Sequence, residues 1–230
     1  MAENDIITID GPSGSGKSTI SRLVAARLGY TFLDTGAMYR AVGYKASKLG
    51  VSLEDGEALA QLLEDLDLVL APGDGDTRVI LDREDISLLI RTAEMGLVAS
   101  KVSAQPVVRG KLTDMQRRLG SGGGVVAEGR DTGTVVFPGA RHKFFLDAAP
   151  AERARRRCLQ LREKGLQADE KEILAQIIKR DKDDSDRALA PLKAAADAVI
   201  IDTSALTIDD VVALLLRHIA KTGENGGSRT

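Results

Sequence analysis

Gly11-Pro12-Ser13-Gly14-Ser15-Gly16-Lys17-Ser18 spells G-x-x-x-x-G-K-[ST] in full, with Thr19 directly after it. In such a loop the glycines let successive backbone N–H groups curl around phosphate oxygens, and a following helix adds the positive end of its dipole. Lys17 is then placed for the β- and γ-phosphates of a nucleoside triphosphate, and the Ser18 hydroxyl for Mg²⁺. A glycine-rich turn with no ligand is the bland alternative. The apolar run before the motif and the helical pattern after it favour the phosphate cradle. A guanine-reading Asn-Lys-x-Asp segment is missing, since the only asparagines are Asn4 and Asn225.

Arginines supply a second set of anion-binding candidates. Residues Arg153-Ala154-Arg155-Arg156-Arg157 hold four of them in five positions. Glu152 and Arg156 have the i, i+4 spacing of a structural pair, whereas Arg153 and Arg157 share another face with no acid four residues away on that helix. Those two are expected to wait for triphosphate oxygens. Arg180, Asp184 and Arg187 follow at spacings of four and three, which puts all three on one face if the stretch stays helical. A solvated, salt-bridged helix surface would read the same way.

These groups need a frame. Five short apolar runs each end in an acid: Ile6–Asp10, Thr31–Asp34, Val125–Glu128, Lys143–Asp147 and Val199–Asp202. Runs of this kind suit strands buried on both faces of a parallel sheet, which needs helical crossovers. Ser18–Leu28, Gly36–Leu49, Val107–Leu119, Ala151–Lys164 and Ile208–Lys221 carry the helical patterns. The expectation is an α/β fold, a three-layer P-loop core around a five-stranded parallel sheet. Asp67–Ala71 and Arg78–Leu81, around the turn-rich segment Pro72–Asp76, predict a small antiparallel insertion over residues 65–87. Ala151–Leu189 reads as mostly helical, and the tail 222–230 as disordered.

Four further segments carry a resemblance: Leu33–Arg40, Ile90-Arg91-Thr92, the block Glu128-Gly129-Arg130-Asp131-Thr132-Gly133-Thr134-Val135-Val136-Phe137-Pro138, and Arg187–Leu192. With the P-loop they closely resemble bacterial cytidylate kinases over nearly the whole chain. The resemblance implies an ATP- and Mg²⁺-dependent kinase for CMP and dCMP. It implies a core over about 1–34, 88–150 and 190–221, an acceptor-binding insertion over about 35–87, and a lid over about 151–189. Thr35 and Arg40, with Arg91 among the substrate contacts, fall at the acceptor phosphate and ribose. Ser100, Arg109 and Asp131 fall at the cytosine, Asp184 and Arg187 at the ribose, Arg130 and Arg180 at phosphate, and Arg153 and Arg157 on the lid. The family usually has aspartate at Glu128 and often serine at Thr35. The chemistry agrees: a carboxylate such as Asp131 accepts from the exocyclic amine of cytosine and repels the corresponding oxygen of uracil. A kinase for another acceptor (UMP, AMP or a metabolite such as shikimate) and a nucleotide-gated binding protein stand as alternatives.

Bulk properties set the outer limits. With 230 residues, 43% of them hydrophobic, the chain has ample material for a core. A formal net charge of −2 argues against a protein that coats nucleic acid. A single cysteine, Cys158, allows no intrachain disulfide. No apolar run approaches the ~20 residues of a membrane span, and the acidic start Met1–Asp5 does not resemble a signal peptide. A cytoplasmic monomer acting on small molecules is expected.

Overall fold

The computed structural model describes residues 5–73, 77–163 and 165–225. Strands β1 (Ile6–Asp10), β2 (Thr31–Asp34), β6 (Val125–Gly129), β7 (His142–Asp147) and β8 (Val199–Asp202) form one parallel sheet in the order β2-β6-β1-β7-β8. The central strands β1 and β6 are buried along their whole length, as continuous apolar runs require. Alternation splits the core in two. Ile7, Ile9, Val126 and Leu146 pack with Val24 of α1 (Lys17–Leu28) and Leu215 of α8 (Ile208–Asn225). Ile6, Leu33, Val125 and Ala127 face α2 (Thr35–Leu49), α3 (Gly56–Glu64) and α5 (Pro106–Gly120) on the other side.

The antiparallel insertion has three strands, β3 (Leu68–Pro72), β4 (Thr77–Leu81) and the two-residue β5 (Glu84–Asp85). Val79 and Leu81 bury against Ala37 and Ala41 of α2, so α2 lies between the small sheet and the large one. The middle of the expected turn Pro72–Asp76, residues 74–76, falls outside the described residues. Helices α6 (Pro150–Glu163) and α7 (Glu170–Ser185) pack on each other in the arginine-rich stretch.

Three features differ from the sequence expectation. Helix α8 continues through Asn225, into the stretch expected to be a disordered tail, of which 226–230 lie outside the described residues. Helix α3 was hidden by its shortness, although Asp55 caps it by accepting from Glu57 N and Ala58 N. Helix α4 (Ala93–Ser103) packs chiefly along α2, and its pattern is interrupted by Gly96.

That α2–α4 contact depends on Gly43, where an added Cβ would run into the Val98 side chain. Gly43→Ala is expected to destabilise the protein by roughly 1–3 kcal/mol through overpacking, read from the urea midpoint. An unchanged midpoint would mean that α4 is free to move off α2.

Candidate active site

The carboxyl ends of the parallel strands open on one cleft, where an open α/β sheet binds its ligands. Gly16 caps helix α1, with a left-handed φ of 89° that glycine adopts without strain. The loop between β1 and α1 is drawn tight: Ser15 Oγ and Lys17 Nζ both donate to the Pro12 carbonyl, at 3.1 and 2.8 Å. Ser18 Oγ donates to Glu128 Oε1 at 2.8 Å from the end of β6. Glu128 Oε2 is buried with no partner.

Across the cleft, α2 starts from Asp34, which accepts from Ala37 N and holds Arg40 at 3.0 Å and Arg91 at 2.8 Å. Thr35 Oγ1 donates to the Glu128 carbonyl at 2.6 Å. Arg109 of α5 pairs with Asp131 at 2.6 Å, both nearly buried. Arg130 Nε pairs with Asp184 of α7 at 3.0 Å, and Ser100 Oγ reaches the same carboxylate at 3.4 Å. Arg187 Nη1 donates to Ser103 Oγ at 2.6 Å. It does so from beyond the end of α7, so its facing does not come from helical spacing.

Of the residues singled out by sequence, Ser13, Gly14, Lys17, Ser18, Thr35, Arg40, Ser100, Arg109, Arg130, Asp131, Arg180, Asp184 and Arg187 line this one cleft. Arg91 stands behind it, on Asp34. Thr19 lines a different, mostly apolar groove between α1, β2 and β3. Arg153 is not unpaired: it is 2% exposed and donates to the carbonyls of Ala148 and Ser13, and Asp181 of α7 is its counter-ion at 2.5 Å. Spacing within α6 could not reveal a partner on another helix. Arg157 is half-buried and does not line the cleft. The Glu152–Arg156 pair forms at 2.9 Å, as its spacing predicts.

Sequence reasoning passed over Asp10, Asp34, Ser103 and Asp181. Asp10 and Asp34 carried a signal, because both are acids that close apolar strands. Ser103 and Asp181 carried none.

A family model described as cytidylate kinase matches residues 7–221. The chain belongs to the cytidylate kinase family. Relatives named cytidylate kinase include one from Methylococcus capsulatus, 51% identical over 92% of this chain and 95% of its own. Another, from Geobacter sp. (strain M21), is 49% identical over 93% and 92%. In shape, a gluconokinase from Sinorhizobium meliloti matches 97% of this chain and 95% of its own, with TM-score 0.49 at 16% identity. That likeness is too loose to bear on substrate.

Charge dominates the cleft of this family member. Burial, then repulsion from Arg130, pushes the Lys17 ammonium down to about 7. The same two causes bring Arg180 down to about 10. Burial followed by the neighbouring Asp34 carboxylate pushes Glu128 up, and burial pushes Asp131 up despite Arg109. For Asp34 burial is the largest single influence and acts upward, yet Arg40, Arg91 and the Ala37 N–H together hold the carboxyl below its ordinary range.

The Lys17 shift has a measurable sign. Phosphate oxygens beside the ammonium would favour its charged form. Binding of a nucleoside triphosphate near pH 8 is therefore expected to take up close to one proton, and near pH 6, where Lys17 is already charged, to take up almost none. Affinity should fall as pH rises above 7. Calorimetry in buffers of different ionisation enthalpy reads this directly; a buffer-independent heat at pH 8 would contradict it.

Proposed function

We propose that the chain transfers the γ-phosphoryl group of ATP to CMP and dCMP, giving ADP with CDP or dCDP. The observation that carries this reading is that one cleft joins the P-loop to the buried Arg109–Asp131 pair. The names of its relatives point to the same acceptor.

Phosphoryl transfer asks a protein mainly for alignment and charge neutralisation. Lys17 would hold the β- and γ-phosphates, with Gly11–Thr19 around them and a backbone N–H at every position of that stretch except Pro12. Arg40, Arg130 and Arg180 would fix the acceptor phosphate, Asp184 and Arg187 the ribose, and Ser100, Arg109 and Asp131 the cytosine. Arg91 would act through Asp34. Arg153 would act on the donor through the Ser13 carbonyl of the P-loop, with Arg157 on the same lid helix. No general base is required, because the attacking phosphate oxygen is already ionised.

The residues present suit Mg²⁺. Ser18 offers a hydroxyl, and Glu128 offers a buried carboxylate oxygen without a partner. Among the described residues no cluster of three acids, cysteines or histidines could cage a metal. That fits an ion held largely by phosphates and water. Bound there, it would neutralise developing charge on the phosphates.

Residues 35–87 would carry the acceptor body and 151–189 the lid, closing on the core over 1–34, 88–150 and 190–221 to exclude water. Among the described residues no helix is long and apolar enough to cross a membrane. The single thiol, Cys158, is free and buried. The proposed reading takes the protein to be a monomer working in the cytoplasm.

ADP release from ATP and Mg²⁺ is expected with CMP and dCMP, and hardly with UMP, AMP, GMP or no acceptor. Turnover confined to another acceptor would overturn the assignment. Asp131→Asn, whose amide can donate to uracil, is expected to lower the CMP/UMP ratio of kcat/KM by roughly a hundredfold. Lys17→Ala should fold normally and lose turnover altogether.

A further inference from the structure

Arg130 and Asp131 stand immediately before an unusual segment, the π-helical turn Thr132–Val136. Such turns are rare and are less regular than an α-turn, so something must hold them. Two side chains from distant parts of the chain do so.

At the amino end is Asp10, the last residue of β1 and fully buried. Its Oδ1 accepts from Thr132 N at 2.9 Å and Thr132 Oγ1 at 2.8 Å, and its Oδ2 accepts from Gly133 N at 2.8 Å. The fit is close: a Cβ added to Gly133 would come within 3.4 Å of Asp10 Oδ2 and 2.8 Å of Thr8 Oγ1. Burial raises the Asp10 carboxyl to about 6 in spite of these donors, so near neutral pH it remains mostly ionised and accepts strongly. At the carboxyl end is Arg117 of α5. It donates from Nε to the Val136 carbonyl at 3.1 Å and from Nη2 to the Val135 carbonyl at 2.8 Å. These carbonyls end a helical turn, where a cation is favoured.

Neither residue lines the cleft. We infer that Asp10 and Arg117 are positioning residues for acceptor recognition, clamping the two ends of the π-helical turn and so fixing where Arg130 and Asp131 point. The inference rests on the acceptor reading above for the roles of Arg130 and Asp131.

The chemistry of substitution is specific. In Asp10→Asn one acceptor becomes an amide N–H facing the Gly133 or Thr132 donor, so the turn loses its anchor while the volume is kept. Arg117 is exposed. Arg117→Ala therefore removes the second anchor with little cost to the core, and Arg117→Lys returns one donor.

Steady-state constants for CMP, UMP and ATP in the wild type and these three variants test the inference. Asp10→Asn is expected to lower kcat/KM for CMP by up to about a hundredfold, the scale of an ångström-sized misplacement. Arg117→Ala should lower it several-fold. Both should depress the CMP/UMP ratio with KM for ATP unchanged, and Arg117→Lys should recover part of the loss. A CMP/UMP ratio equal to wild type in folded Asp10→Asn and in Arg117→Ala would overturn the inference. So would a rise in KM for ATP matching that for CMP, which would mean general damage. If Asp10→Asn does not fold by circular dichroism, the two Arg117 variants decide alone. If the wild type prefers another acceptor, the reading of the substrate fails separately. The clamp then still requires both variants to lose kcat/KM for that acceptor at constant KM for ATP.

Discussion

Six cationic side chains, Lys17, Arg40, Arg109, Arg130, Arg180 and Arg187, line a cleft with only three carboxylates among its lining, Glu128, Asp131 and Asp184. Crowding like charges into a partly desolvated space costs stability, and both the lowered Lys17 and the lowered Arg180 report that cost. On the function proposed above, two substrates bearing phosphates would supply what the cleft is short of. Much of the remaining architecture can be read as the means of holding this imbalance in place. Asp34 holds Arg40 and Arg91, Asp184 anchors Arg130, and Asp181 anchors Arg153. Asp34 and Asp181 do so from outside the cleft lining, and Asp184 from within it.

The same braces connect parts of the fold that would otherwise be independent. Ser13 of the phosphate loop accepts from Arg153 of α6 through its carbonyl and from Arg180 of α7 at 3.4 Å through its hydroxyl. Ser103 at the end of α4 gives its carbonyl to Arg109 and its hydroxyl to Arg187. The P-loop, α4, α5 and the α6–α7 pair with the residues after it therefore share charged hydrogen bonds, which are stronger than neutral ones and demand defined geometry.

Most of the frame was legible in the sequence, because parallel strands and amphipathic helices write their burial into local periodicity. The five strands and the phosphate loop lie where apolar runs and the glycine pattern put them. What could not be read is what depends on pairing at a distance. Arg153 looked unpaired because its acid lies on α7. Arg187 looked helical because the end of α7 at Ser185 has no proline or glycine to announce it. Asp10 was visible as the acid closing β1, but its three donors come from a turn more than a hundred residues away. The antiparallel insertion was visible from its turn chemistry, whereas α3 was too short to stand out from it.

If the unbalanced cations are the central constraint, removing one should relieve the ligand-free protein. Arg180 is the sharpest case, with its Nε buried and unpartnered and its charged form disfavoured by burial and Arg130. The deciding measurement is the unfolding free energy of ligand-free Arg180→Met against wild type, from urea titration. The account predicts a variant as stable as wild type or more so, as when a buried charge gives way to an apolar side chain of similar length, together with a severe loss of turnover. A substantial loss of stability would mean that Arg180 is held by its carboxylate neighbours as an ordinary buried ion pair, and the cleft would not be the poised anion site described here.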